Sequence, residues 1–243
     1  MAERSRWVFW AGVAFCSAVF IGTVIGVWWL VHTLSDAQEV PLRRLAVQGA
    51  EQTVTAAEVR EALRSDALGS FFSADVNELR QRVEQLPWVE RASVRKEWPD
   101  VLQVYVVEQQ PLAFWNDDRM LNLAGEVFKA DSTRLSEAQR QQLPYLYGPE
   151  DAKQETLDQF RALSALLQIN GFRVQALRLS PRFATEVVLA DGTELRLGRE
   201  SQLQRVQRFI DVYPAIEKQQ DRPIDYVDLR YDTGVSVRWQ DEQ

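Results

Sequence analysis

The hydrophobic pattern divides the chain sharply. Trp7 to Val31 reads WVFWAGVAFCSAVFIGTVIGVWWLV, about 25 residues without a charge, and at 1.5 Å per residue a helix of that length exceeds the roughly 30 Å hydrocarbon layer. The run has no polar stripe and is longer than a signal-peptide core, although Ser35-Asp36-Ala37 imitates a small-x-small cleavage site, so it predicts an uncleaved transmembrane helix. Trp7 and Trp10 at one end and Trp28 and Trp29 at the other mark the two headgroup layers. Arg4 and Arg6 precede the span and Asp36 and Glu39 follow it, with Arg43 and Arg44 further on, which favours a cytoplasmic N-terminus. Ala14, Ala18, Gly22 and Gly26 recur every fourth residue and offer a groove to another helix, although such residues are also common in spans generally.

After a polar tether over 32–40 the periodicity changes. Leu42 to Gly49 alternates as a strand. Thr55 with Glu58 has capping-box spacing and opens a short helix through Val59, Ala62 and Leu63. Asp75 caps a second helix with Val76, Leu79, Val83 and Leu86 at helical spacing, stopped by Pro87. Val89 to Val94 and Val101 to Val107 predict a hairpin around the turn Trp98-Pro99-Asp100, which completes a β-α-α-β-β unit over 41–110. From 111 to 239 the texture is short strands. These are Ala113 to Trp115, Leu121 to Phe128 around a glycine, Val174 to Leu179, Thr185 to Leu189, Glu194 to Leu197, Ile224 to Tyr231 and Val235 to Trp239. Asp191-Gly192 joins two of them as a hairpin, and Asp232-Thr233-Gly234 turns the last pair. Two amphipathic helices interrupt them, one through Leu157, Phe160, Leu163 and Leu167, the other through Leu203, Val206, Ile210 and Tyr213. The expected class is α+β: a tail over 1–6, one transmembrane helix over 7–31, a linker, the small β-α-α-β-β domain, a β-rich domain with two packed helices, and a tail over 240–243.

Composition narrows the chemistry. A net charge of −7 disfavours a phosphate-neutralising surface and hence nucleic acid. With one cysteine, Cys16, and one histidine, His32, a Cys/His zinc cluster and an intrachain disulfide are excluded, and a histidine-based triad could draw only on His32 at the edge of the span. Asp117, Asp118 and Asp131 lie in turn-like contexts without ligand spacing and read as solvated loop acids, so no catalytic residue, metal or cofactor is expected.

Several stretches together resemble the FtsQ/DivIB family of bacterial cell-division proteins. Leu86-Pro87-Trp88-Val89, Arg95-Lys96-Glu97-Trp98-Pro99 and Val107 through Trp115 are similar to its POTRA domain and the exit from it. Leu123-Ala124-Gly125-Glu126-Val127-Phe128 resembles the opening of its β-domain, and Val227-Asp228-Leu229-Arg230-Tyr231 with Gly234 and Trp239 its terminal strands. The tail before the span is shorter than in many relatives, which leaves tail-mediated contacts in doubt. The resemblance implies a non-enzymatic, bitopic inner-membrane component of the divisome with periplasmic domains. It further implies β-domain binding of FtsB and FtsL, a link between early and late division proteins at the septum, and recruitment through the POTRA and membrane segments.

The last strand is where pattern and resemblance meet. Val235, Val237 and Trp239 share one face, and a terminal strand can leave its backbone free for a partner's strand. On the residues alone, filling the core is the favoured reading of these side chains. The resemblance assigns FtsB binding to this region, in which Tyr231, Thr233, Gly234 and Trp239 match motif positions, and the expected partner-binding set is Leu229, Arg230, Tyr231, Thr233, Gly234, Val235, Val237 and Trp239. Val94 and Lys96 are weaker candidates for recruitment through the POTRA unit, while Trp88 and Trp98 read as packing residues. Two rival readings remain: an exported POTRA-containing transport or secretion component, and a membrane-anchored cell-wall hydrolase, for which the sequence offers no carboxylate pair.

Overall fold

A computed structural model of the chain describes residues 2–35, 44–64, 71–72, 74–219 and 222–240. The side chains of Arg4 and Arg6, most of the tether, the Ser35-Asp36-Ala37 imitation site and the end of the C-terminal tail lie outside the described residues. Helix α1 covers Ala2–Ser35. Its stretch Trp10–Thr33 is long and apolar enough to cross a membrane and none of it is buried inside the protein, as a helix solvated by lipid requires.

The chain divides into two compact units, 1–108 and 109–243. In the first, β1 (Arg44–Gln48), α2 (Ala56–Ala62), α3 (Val76–Glu84), β2 (Val89–Glu97) and β3 (Val101–Glu108) follow α1 in the expected order. Thr55 and Glu58 form the reciprocal cap of α2, the Glu58 amide donating to Thr55 Oγ1 at 3.2 Å and the Thr55 amide to Glu58 Oε2 at 2.9 Å. Asp75 receives the Asn77 amide at 2.8 Å and starts α3. The sheet order is β1-β3-β2, with β1 parallel and β2 antiparallel to β3. Val59, Leu79, Val83, Trp88, Val104 and Val106 are buried and form the core between helices and sheet. Trp98 corrects its assignment as a packing residue. It is 77% exposed, because it sits at the hairpin tip, one residue beyond the last sheet pair Glu97↔Val101.

The second unit is one nine-stranded sheet. Its elements are β4 (Pro111–Trp115), β5 (Arg119–Asn122), β6 (Val127–Phe128), α4 (Glu137–Gln142), β7 (Tyr145–Tyr147), α5 (Lys153–Ile169), β8 (Val174–Leu179), β9 (Thr185–Leu189), β10 (Glu194–Gly198), α6 (Gln202–Glu217), β11 (Ile224–Asp228) and β12 (Ser236–Trp239). They run β12-β11-β10-β9-β8-β7-β4-β5-β6 across the sheet. One core, including Leu146, Leu177, Val187, Leu195 and Val227 from the strands, closes on Leu157, Leu163 and Leu167 of α5 and Val206 and Phe209 of α6. α5 buries the predicted stripe through Leu157, Leu163 and Leu167 with Phe160 half-buried beside them, whereas on α6 the predicted Leu203 is 49% exposed and the buried face runs through Val206, Phe209 and Ile216, with Ile210 and Tyr213 half-buried.

Two expected strands are shorter than predicted. Leu121 to Phe128 is a hairpin rather than one strand: Gly125 takes φ +83°, and the Gly125 amide donates to the Asn122 carbonyl at 3.0 Å to close the turn. The strand beginning at Ile224 stops at Asp228, not Tyr231: the Leu229 amide still reaches the Arg196 carbonyl at 3.0 Å, and beyond it Arg230 folds back onto the Asp228 carboxylate and the chain turns.

Candidate protein-binding edge

β12 is the outermost strand of the large sheet and pairs only with β11 among the described residues, Val237 opposite Val227 and Ser236 opposite Asp228. The Gln240 amide turns inward, donating to the Pro223 carbonyl at 3.0 Å. Backbone groups alternate along a strand, so the amides of Arg238 and Ser236 also turn inward and those of Val237 and Trp239 turn outward. The outward row is an open template for an added strand. Val235, Val237 and Trp239 are half-buried and pack against the main core, whereas Ser236 and Arg238 are exposed. These side chains fill the margin of the core, while the outer side of the strand pairs with no other strand among the described residues.

The connection into β12 is shaped by α6. Arg208 Nη1 donates to the Tyr231 carbonyl at 2.6 Å, and Arg205 donates to the carbonyls of Leu197 and Arg230. These bonds pin the turn while the Tyr231 ring stays 58% exposed. Thr233 and Gly234 are exposed, and a Cβ placed on Gly234 would meet no atom within 4 Å. Leu229 is fully buried, so its side chain belongs to the core behind the turn and not to an accessible surface. Asp228, 6% exposed, accepts Arg230 Nη2 at 2.6 Å and the Arg230 amide at 3.1 Å. The hydrogen bonds and charge of Arg230 outweigh burial and hold the Asp228 carboxyl below the usual range.

Beside this turn lies a cavity lined by Arg182, Ala184, Gly198, Arg199, Glu200, Arg205 and Arg230, four arginines to one carboxylate. Between the lining residues Arg182 and Ala184, Phe183 is 51% exposed and held at φ +60°. That backbone conformation is uncommon for a bulky residue. Arg182, Phe183, Arg199 and Arg205 are absent from the sequence-predicted set, since they are scattered over three elements and only the β8-β9 turn and the start of α6 bring them to Arg230. The one local signal was the Gly198-Arg199 pair ending a strand.

The other candidate positions are elsewhere. Val94 is 9% exposed within the first unit's core, and Lys96 Nζ donates to the Phe72 carbonyl at 3.2 Å and lies 5.8 Å from the centroid of the Phe71 ring. On the backbone of β2, the Ala92 amide points away from β3 and is capped by Glu84 Oε1 at 3.1 Å. The amides of Val94 and Lys96 face the same outer side by alternation. Ala14, Ala18, Gly22 and Gly26 are exposed along α1. Asp117 accepts the Tyr147 hydroxyl at 2.7 Å, Asp118 faces Arg119 and Lys129, and Asp131 caps the turn at Thr133. Among the described residues no group of three or more His, Cys, Asp or Glu side chains is placed to hold a metal ion.

The apolar N-terminal helix, the small β-α-α-β-β unit and the large sheet define a single-pass membrane protein bearing a POTRA domain and a β-rich domain. Two family profiles match it: "POTRA domain, FtsQ-type" over residues 40–109 and "Cell division protein FtsQ/DivIB, C-terminal" over 113–230. The chain is 45% identical to the cell division protein FtsQ of Shewanella oneidensis over 241 residues, covering 99% of this chain and 90% of that one. It is 38% identical to the FtsQ of Aliivibrio fischeri, covering 93% and 88% of the two chains, and 34% identical to that of Escherichia coli, covering 94% and 84%. The chain belongs to the FtsQ/DivIB family of cell-division proteins.

Proposed function

We propose that this protein is a non-enzymatic inner-membrane scaffold of the divisome, with a cytoplasmic N-terminus and periplasmic POTRA and β-domains, that binds FtsB, and FtsL with it, at the β12 edge. The observation that carries the reading is the outward backbone row of Val237 and Trp239, flanked by the exposed Tyr231 ring and the arginine-lined cavity. A segment of FtsB adds as a strand to β12, Tyr231 and Trp239 supply apolar contact area, and the arginines receive acidic side chains of the same segment. Leu229 supports the site from within the core, and Arg230, Thr233, Gly234 and Val235 shape its approach. The bilayer anchors the chain, and the β-domain thereby joins early and late division proteins at the septum. The β2 edge at Val94 and Lys96 serves recruitment of other divisome proteins, and the small-residue face of α1 at Ala14, Ala18, Gly22 and Gly26 admits another transmembrane helix.

Binding of an FtsB periplasmic segment to the full chain in nanodiscs tests the central claim. Tyr231→Ala and Trp239→Ala are each expected to cost about 2 kcal/mol or more of affinity, the range for aromatic anchors. Unchanged affinity in both folded variants overturns the assignment.

A further inference from the structure

Trp98 is an aromatic side chain that neither the core nor the β12 edge uses. At 77% exposed, it stands at the tip of the β2-β3 hairpin, followed by Pro99 and Asp100. The end of the domain that carries this tip is fixed by pairing. β1 begins at Arg44, which pairs in parallel register with Val101, the residue immediately after the tip. The Arg44 amide donates to the Asp100 carbonyl at 3.2 Å, and its guanidinium meets Asp100 Oδ1 at 2.7 Å. The point where the chain enters the POTRA domain and the hairpin tip are thus bonded neighbours.

That entry point is close to the membrane by covalent length alone. Only residues 36–43 separate Ser35, the end of α1, from Arg44, and a chain of that length reaches no more than about 30 Å when fully extended. Of the two ends of this small sheet, the one bearing Arg44 and Trp98 is the end the tether joins, and the end bearing Gln48 and Gln52 lies further along the strands. An indole places a large apolar ring and one N–H donor at such a boundary, the combination that favours the headgroup layer. We infer that the Trp98-Pro99 tip is a second membrane contact, seated in the headgroup layer of the leaflet into which α1 emerges, and that it orients the POTRA domain on the bilayer.

The test uses the full chain with Cys16→Ala in nanodiscs of phosphatidylethanolamine and phosphatidylglycerol, carrying an environment-sensitive fluorophore on Glu97→Cys or, as the comparison, on Gln52→Cys. A lipid spin-labelled near the headgroup should quench the label at 97 several-fold more than the label at 52. Trp98→Ser should bring quenching at 97 down toward the value at 52. Circular dichroism checks that the POTRA fold persists, which the exposure of Trp98 favours. Equal quenching at the two positions, or quenching at 97 that Trp98→Ser leaves unchanged, overturns the inference. So does a label at 97 that becomes shielded only when a partner protein is added, an outcome that would make the tip a protein-binding element.

Discussion

The carboxylate of Glu108, the last residue of β3, accepts both the amide and the hydroxyl of Thr53, each at 3.1 Å. The amides of Glu51, Gln52 and Val54 converge on the same group at 2.9, 3.1 and 3.0 Å. A run of successive N–H groups aimed at one point is an anion nest, and here a side chain of the same domain fills it. Burial pushes the Glu108 carboxyl up, but the amide hydrogen bonds from Val54, Gln52, Glu51 and Thr53 outweigh it and bring the group below the ordinary glutamate value.

Glu108→Gln should therefore destabilise the POTRA unit by about 1–3 kcal/mol, since the amide side chain offers its neighbours weaker acceptors and one unwanted donor pair. Because the folded state lowers this pKa, the stabilisation is fully present above the unfolded glutamate value near 4.3 and is lost as pH falls through the lower folded value. Thermal melts of wild type and Glu108→Gln across that range should converge at the acid end. Curves that stay parallel would show that the charge contributes nothing.

Gly49 closes β1 at φ +80°, and a Cβ built there would come within 2.1 Å of the Val106 carbonyl oxygen. That neighbour is backbone in the central strand and cannot swing aside. Gly49→Ala should cost about 2 kcal/mol or more, from the left-handed backbone and the clash together. Gly171→Ala provides the contrast: it shares a positive φ, +85°, but has no atom within 4 Å of the added carbon, so it should cost less. Denaturant midpoints of the two variants measure the difference.

Features set by neighbours in the chain are legible in the sequence. The Thr55–Glu58 cap, the apolar stripe of α5, the Asp191-Gly192 hairpin and the span of α1 all declare themselves within a few residues. What was not legible depends on distant partners. β7 is three residues long between Pro144 and Gly148 and exists because β4 and β8 flank it in parallel. α4 carries no buried residue and hence no apolar stripe to read. The arginine-lined cavity is assembled from positions 182 to 230, and the outward turn of Trp98 follows from its place beyond the last sheet pair, which composition does not encode.

Of the four arginines of the cavity beside Tyr231, Arg230 is paired with Asp228, and the other three face one lining carboxylate, Glu200, so the field there is positive although the whole chain is acidic. Such a field acts mainly on encounter and is screened by salt. Arg182→Glu combined with Arg199→Glu should slow association of an acidic FtsB segment by about tenfold or more at low ionic strength, with a smaller effect on dissociation. Stopped-flow association rates should converge for wild type and variant as salt is raised. A rate insensitive to both substitutions and salt would remove the cavity from the binding surface.

On the proposed reading of the β12 edge, Asp228 affects binding without touching the partner. It is almost completely buried, yet its carboxylate holds the exposed Arg230 guanidinium at 2.6 Å and the Arg230 amide at 3.1 Å, which fixes where the chain leaves β11 for the Tyr231 turn. Asp228→Asn keeps the shape of the side chain but loses the charge that secures both bonds. With one partner largely exposed, the effect on stability should be small, about 1 kcal/mol. The effect on partner affinity should be larger than on the melting point, because a loosened Arg230 displaces Tyr231 and the start of β12 together. Affinity and melting temperature measured on the same preparation separate the two. Should Asp228→Asn lower the melting point while leaving FtsB-segment affinity intact, this pair stabilises the sheet and has no part in shaping the edge.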